Sequence, residues 1–399
     1  MESTEVYGSI TVQAMSAAHR LFQEPPLISP APVFTVLIGS DVEARLIEAE
    51  TLTRDNQHSA ALEQLQALWD DVHDDVPLAV RHRLATAWAE MYEGRLDSAA
   101  ALLVQADALV QSPHFDAADR AAVLYRTGCV TLKRNEIAEA ISCFTRALET
   151  NARSARPSLL LAADVRNWRS RCYQIHRDWD AAARDAEASL ELACEAGCDR
   201  TRAHALFQAS LIAERQGQWL LARFHAEQAL EIYRRYGDTL STARLLNNLG
   251  GIDFLLGDVA AAEQLLTEAA AAAAAAGSEA DVAQATSSLA QVLLRSDRPR
   301  EARERAQASL ALLAGRIDFL EEIGNAQLVV AKSHIAELDP VATTEWLDQA
   351  EHTFVELGST SHLAAVSIAR GDLARATGDS DGAAELYRHA AESLQDFHF

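Results

Sequence analysis

The chain has 399 residues, 49% hydrophobic and 23% charged, a composition that supports a large folded core and excludes bulk disorder. Its 35 Lys and Arg stand against 58 Asp and Glu, and a net charge of -23 speaks against direct binding of nucleic acid or anionic lipid. Five cysteines at irregular spacing fit a reducing compartment better than a disulfide framework.

The amino terminus, MESTEVYGS, is acidic where a secretory signal needs positive charge, and no later run supplies the roughly 18 apolar residues of a membrane span. A cytoplasmic protein without membrane attachment is expected. Residues 1–40 form an N-terminal extension. EPPLISPAP, Glu24 to Pro32, lacks a helical period and reads as an extended linker; VFTVLI after it suits a short strand or an apolar segment docked on the first hairpin of the repeats beyond it.

From residue 41 the chain repeats itself. A small residue, a turn residue seven positions later and a second small residue five further on recur in nine units. They are Ala49, Asn56, Ala61; Ala87, Gly94, Ala99; Gly128, Asn135, Ala140; Ser170, Arg177, Ala182; Ser210, Gly217, Ala222; Gly250, Gly257, Ala262; Ala290, Asp297, Ala302; Ala331, Leu338, Thr343; and Gly371, Gly378, Ala383. Successive units lie 38 to 42 residues apart. This is the pattern of a helical hairpin: small residues let two helices approach, a turn residue ends the first, and larger side chains such as Leu103, Phe144, Leu266 and Tyr387 fill the remaining gap. Gly197, Gly237, Gly277 and Gly358 are placed to end second helices, and the alanines from Ala269 to Ala276 form a strong helical segment between Leu266 and Gly277. An all-α solenoid of about nine hairpins over residues 41–397 is the result.

These residues resemble the tetratricopeptide repeat family, whose Leu-Gly pair, turn and second-helix alanines are matched by Leu249 and Gly250, by Gly257 and Asp258, and by Ala262 and Ala269. The resemblance implies a right-handed superhelical solenoid. The units exceed the family's usual length of about 34 residues. Its bulky first-helix aromatic is kept as Tyr173 and replaced by Glu90, Asp253 and His334. HEAT-type repeats have the observed length but do not account for the small-residue columns. In unit style, LNNLGGIDFLLGD and the closing LYRHAAESLQDFHF are similar to the sensor arrays of bacterial helix-turn-helix regulators, including those that bind signalling peptides. Forty preceding residues are too few for a DNA-binding domain of ordinary size, so this resemblance implies a sensor without its reader, or part of a longer product.

No Walker loop, Rossmann fingerprint, HExxH or CxxC pair is present, so neither an enzyme nor a cofactor is expected. Cys194, Cys198 and His204 offer three soft ligands for zinc, against the simpler reading of packing cysteines at a helix end; no metal site is assigned. Asp253 is either a perturbed acid or a carboxylate bonded at a repeat interface.

The resemblance further implies that first helices line a concave groove. Reading its inward positions gives Trp88 and Tyr92; Tyr125, Arg126 and Lys133; Asn167, Trp168 and Arg171; His204, Phe207, Gln208 and Arg215; and Arg244, Asn247 and Asn248. Second helices carry Glu187, Glu191, Glu195, Glu227, Glu231, Glu263 and Glu268, which places an acidic exterior around an arginine-bearing interior. The expected ligand-binding residues are Tyr125, Arg126, Asn167, Arg171, His204, Gln208, Arg244, Asn247 and Asn248. Asparagine amides pair with an extended backbone while arginines hold a carboxylate. The same side chains could instead bond to neighbouring repeats. The expected partner is a protein or peptide with an acidic or carboxy-terminal segment; a homodimer is left open.

Overall fold

A computed structural model describes residues 41–55, 57–316 and 319–395. The N-terminal linker and its apolar segment, Asn56 of the first turn, and the last residues assigned to the solenoid lie outside the described residues. Eighteen helices are present there: α1 Asp41–Arg54, α2 His58–Val72, α3 Val76–Tyr92, α4 Leu96–Leu109, α5 Ala117–Lys133, α6 Ile137–Ala152, α7 Leu159–Ile175, α8 Trp179–Glu195, α9 Asp199–Arg215, α10 Trp219–Tyr236, α11 Thr239–Leu256, α12 Val259–Ala275, α13 Glu279–Arg295, α14 Pro299–Leu312, α15 Leu320–Ala336, α16 Pro340–Leu357, α17 Thr360–Ala376 and α18 Ser380–Gln395. Paired in order they make nine antiparallel hairpins, as the spacing predicts.

The small columns are the hairpin crossings. All nine first-helix members and all nine second-helix members are buried. A Cβ placed on Gly250 would lie 2.6 Å from Leu266 Cγ; on Gly128 and Gly371 it would meet the rings of Phe144 and Tyr387 at 2.7 and 2.5 Å. Volume is therefore shared between facing positions. Where the first helix carries Ser170 or Ser210, the residue sixteen further on shrinks to Ala186 or Ala226.

The turn column is equally regular. Its described members have φ from 57° to 92°, and four of them, Asn135, Arg177, Asp297 and Leu338, are not glycine. The left-handed backbone costs such residues free energy, so here the tertiary pairing sets the turn and the sequence tolerates it. The next residue often starts the second helix: Asp178, Asp258 and Asp339 accept from the N–H groups of Ala181, Ala261 and Ala342. The alanine run continues α12 to Ala275 and stops at Gly277, φ 72°.

Every pair of consecutive first helices is in contact, and no pair of consecutive second helices is. Stacked hairpins that touch on one edge and splay on the other curve toward the touching edge, which puts the first helices on the concave side. The curvature is tight enough for non-neighbours to meet across it. Trp88 of the second hairpin packs edge-on against Trp168 of the fourth, 5.8 Å between ring centres. Arg200, opening the fifth hairpin, donates to the carbonyl of Arg54 at 2.8 Å and to Asp55 at 3.0 Å, joining positions 145 residues apart.

The exterior is not simply acidic. Glu227, Glu231, Glu263 and Glu268 pair with Arg223, Arg235, Arg298 and Arg234. Between α7 and α8, buried Asp185 takes Arg166 and Arg169 at 2.8 and 2.7 Å. No helix among the described residues is long and apolar enough to cross a membrane.

Candidate functional site in the concave groove

The concave face divides into an aromatic, cationic part from α3, α5 and α7 and an amide-rich part from α9, α11, α13 and α15. In the first, Trp88 touches Tyr92, Tyr125 and Trp168 at ring-centre distances of 5.3, 6.2 and 5.8 Å. Cations stand on this cluster: Arg126 lies 3.9 Å above Trp88, Arg171 4.8 Å above Trp168, and the Lys133 ammonium 5.6 Å above Tyr92. None of the three has an ion-pair partner among the described residues. Burial, reinforced by Arg171 and Arg244, holds the Lys133 ammonium below its ordinary pKa, a sign that the positive charges converge. Tyr125 is mostly enclosed within the cluster, 7% exposed, and its phenol is raised by burial.

Asn167 is also 7% exposed, and its amide oxygen has no hydrogen-bond partner among the described residues. One turn before it, Asp164 accepts from Thr201 at 3.1 Å, and burial pushes its carboxyl up to about 6. His204 packs 5.8 Å from Tyr233, and burial lowers its imidazole to about 4, leaving it neutral at pH 7. Gln208 is engaged sideways, accepting from the Gln174 amide at 2.8 Å.

Around α11 the groove opens into a concavity of about 340 Å³, lined in part by Phe207, Glu214, Arg244, Asn247, Asn248 and Gln284. Arg244 is not a free cation: it makes a two-pronged pair with Asp281 at 2.8 and 3.1 Å. Asn248 donates to Glu214 at 2.6 Å and accepts from Ser210 at 3.0 Å, so the preceding repeat holds its amide. Its neighbour Asn247 keeps a buried amide oxygen without a partner among the described residues. The two asparagines in LLNNLGG thus differ, one tied to the neighbouring hairpin and the other left with an acceptor unused.

The structure places all nine expected residues on first helices of the concave side but divides them between the two parts. It also adds groups the sequence reading missed: Asp281, Gln284, Ser287 and Ser288 of α13, and Glu321 and Asn325 of α15. A signal for the α13 residues exists, because positions 244, 247 and 248 advanced by one 40-residue unit give Gln284, Ser287 and Ser288. Asp253 is buried between hairpins 3.5 Å from Arg223, away from the concavity, and burial raises its carboxyl. Cys198 occupies the N-cap position of α9 without a side-chain capping bond, and Cys194 packs, partly buried, against the core; no group of three or more His, Cys, Asp or Glu gathers for a metal among the described residues.

Comparison with known proteins fits this architecture. The tetratricopeptide repeat family model matches residues 241–314. No curated protein matches the sequence significantly. Solved structures similar in fold include a Rap protein complexed with competence and sporulation factor (17% identity, TM-score 0.63, 89% of this chain and 97% of that one). The apo form of the quorum sensor NprR from B. thuringiensis aligns at 12% identity and TM-score 0.59 over 89% and 99% of the two chains. Aspartyl phosphate phosphatase F from Bacillus subtilis aligns at 15% and 0.55 over 90% and 96%. Such identities establish a shared fold, and that fold carries more than one kind of activity. Residues 241–314 match the tetratricopeptide repeat, and the chain as a whole has a tetratricopeptide-like solenoid fold, shared with these structures over most of its length.

Proposed function

We propose that the protein is a non-enzymatic binding scaffold whose concave groove holds an extended peptide bearing an acidic side chain or a free carboxylate. The observation that carries this reading is the convergence of Arg126, Lys133 and Arg171 on one aromatic cluster without ion-pair partners among the described residues. Unpaired cations in a concavity of a chain with net charge -23 focus a local positive potential, and an anion supplies what the protein does not. Beyond them, the free acceptor of Asn247 suits a peptide N–H. The similarity in fold to a Rap conjugation gene regulator in complex with the Phr* peptide supports a peptide as the ligand.

The fold shared with the quorum sensor NprR favours one context for such binding, the signal-sensing part of a transcriptional regulator. The ligand chemistry is the same in both contexts. Recovery of a DNA-binding protein with the purified chain from its own cells supports this context, and its absence leaves the scaffold reading.

The test is affinity selection from a hexapeptide mixture, read by mass spectrometry, with wild type and the Arg126→Ala/Arg171→Ala double variant. Retained peptides should be enriched in Asp, Glu or free carboxyl ends, and the double variant should lose about 1.5 to 3 kcal/mol for each charge-assisted contact removed. Retention indifferent to both peptide charge and the double substitution overturns the proposal.

A further inference from the structure

A second concavity of about 160 Å³ lies between α13 and α15 and continues the first, since Gln284 and Ser288 line both. Its chemistry is opposite to that of the aromatic end. Ser287, Gln291, Glu321, Glu322 and Asn325 line it beside the two shared residues, Gln284 donates to Glu322 at 3.5 Å, and among the described residues no lysine or arginine lines it. Ser287 is 3% exposed, yet its hydroxyl has no hydrogen-bond partner among the described residues. A serine within a helix ordinarily satisfies itself on the preceding turn, so an idle hydroxyl on a polar cavity wall is an unfilled position. Among the described residues, the Glu321 carboxylate at the rim is held only by a His362 nitrogen 3.8 Å away. Hydroxyl, amide carbonyls and a carboxylate facing one small space are acceptors for a group with several N–H donors and a positive charge: a primary ammonium.

Resting on the peptide-binding reading above, we propose that the groove imposes a direction: the ligand's ammonium group, its free amino terminus, sits between α13 and α15, and its carboxylate end lies toward Arg126, Lys133 and Arg171. Packed helices lie about 8 to 10 Å apart, so the four steps from α7 to α15 span roughly 30 to 40 Å. An extended chain rises about 3.3 Å per residue, so a ligand reaching both ends has about nine to twelve residues or more.

The experiment uses the full chain and four libraries of twelve-residue peptides without Lys or Arg: unmodified, N-acetylated, C-amidated, and N-acetylated with one lysine added. Acetylation should lower retention by wild type about tenfold or more. In Glu321→Gln the unmodified library should fall to a similar level, with acetylation making no further difference. Amidation should matter for wild type and not for Arg171→Gln. Restoration by the added lysine would assign the pocket to a side-chain ammonium and overturn the assignment to the amino terminus. Direction is read on wild type alone, with a photoreactive residue at one end of a retained peptide: an amino-terminal probe should label α13 or α15, and a carboxy-terminal probe α5 or α7. Reversed labelling, or retention indifferent to acetylation, refutes the direction while leaving groove binding intact. If wild type retains no library member, groove binding itself fails and the direction with it.

Discussion

The two parts of the concave face have the same helical parentage and opposite states of completion. Between α3 and α7 the groove is filled by its own side chains: Trp88, Tyr92, Tyr125 and Trp168 pack ring against ring, with cations laid over them. From α9 to α15 the groove stays open, and polar atoms such as the Asn247 oxygen and the Ser287 hydroxyl have no partner among the described residues. The filled part spends its side chains on packing and leaves its cations without ion-pair partners among the described residues, whereas the open part leaves acceptors unused.

The largest expected effect breaks the filled part. Trp88→Ala removes the ring on which the cluster turns and should cost about 3 kcal/mol, the low end for a tryptophan because Trp88 is only partly buried. Chemical denaturation measures it, and a loss below about 1 kcal/mol would show that the cluster is surface decoration. Next comes the frame common to both parts. Gly250→Leu drives a side chain into Leu266 and should cost about 1 to 3 kcal/mol or more, whereas Gly251→Ala, with nothing within 4 Å of the added Cβ, should gain up to about 1 kcal/mol from helix propensity. Equal melting temperatures for these two variants would mean that the hairpin register is wrong.

The boundary between the parts is sensitive to pH. Asp164 has a folded pKa of about 6 against an ordinary 3.8, so between about pH 4 and 6 the folded state binds its proton more tightly than the unfolded chain does. Its contribution to stability is complete below that window and is lost as pH rises through it. Asp164→Asn should flatten this slope, by about 1 to 3 kcal/mol across the window, in melting curves taken at successive pH values. The smallest effect sharpens the contrast: Asn247→Ala and Ser287→Ala should leave stability within about 0.5 kcal/mol of wild type, since neither idle atom contributes a bond. A loss above about 1 kcal/mol in either would show that the open part is structural after all.

Much of this was legible in the sequence, for a reason that also sets the limit. The columns Gly250–Gly257–Ala262 and their equivalents record contacts inside one hairpin, where close packing restricts residue type at fixed spacing. Pairings between adjacent hairpins leave a weaker trace, because several residue types satisfy them: Arg244 with Asp281, Thr201 with Asp164, and Ser210 with Asn248 all join residues 37 or 38 positions apart, about one unit. Arg244 reads as a free groove cation until that offset is examined. Contacts across the superhelix, such as Trp88 with Trp168, leave no periodic trace, because they depend on small rotations summed over intervening units. The inward face could be assigned, but not which stretch of it would fill itself.

Arg200 and its hold on Asp55 alter how such a solenoid folds and fails. In an array whose couplings run only between neighbours, an end unit can fray without notice elsewhere, and contact order stays low. A bond between the first and fifth hairpins closes those units into a loop, and its ring-closing entropy falls to the extent that the intervening helices already hold the right curvature. Exposed ion pairs contribute about 1 kcal/mol or less, so the join is a reporter of curvature more than a source of strength. Amide hydrogen exchange in α1 should therefore be coupled to the integrity of α9, and Arg200→Ala should release the first hairpin to exchange on its own.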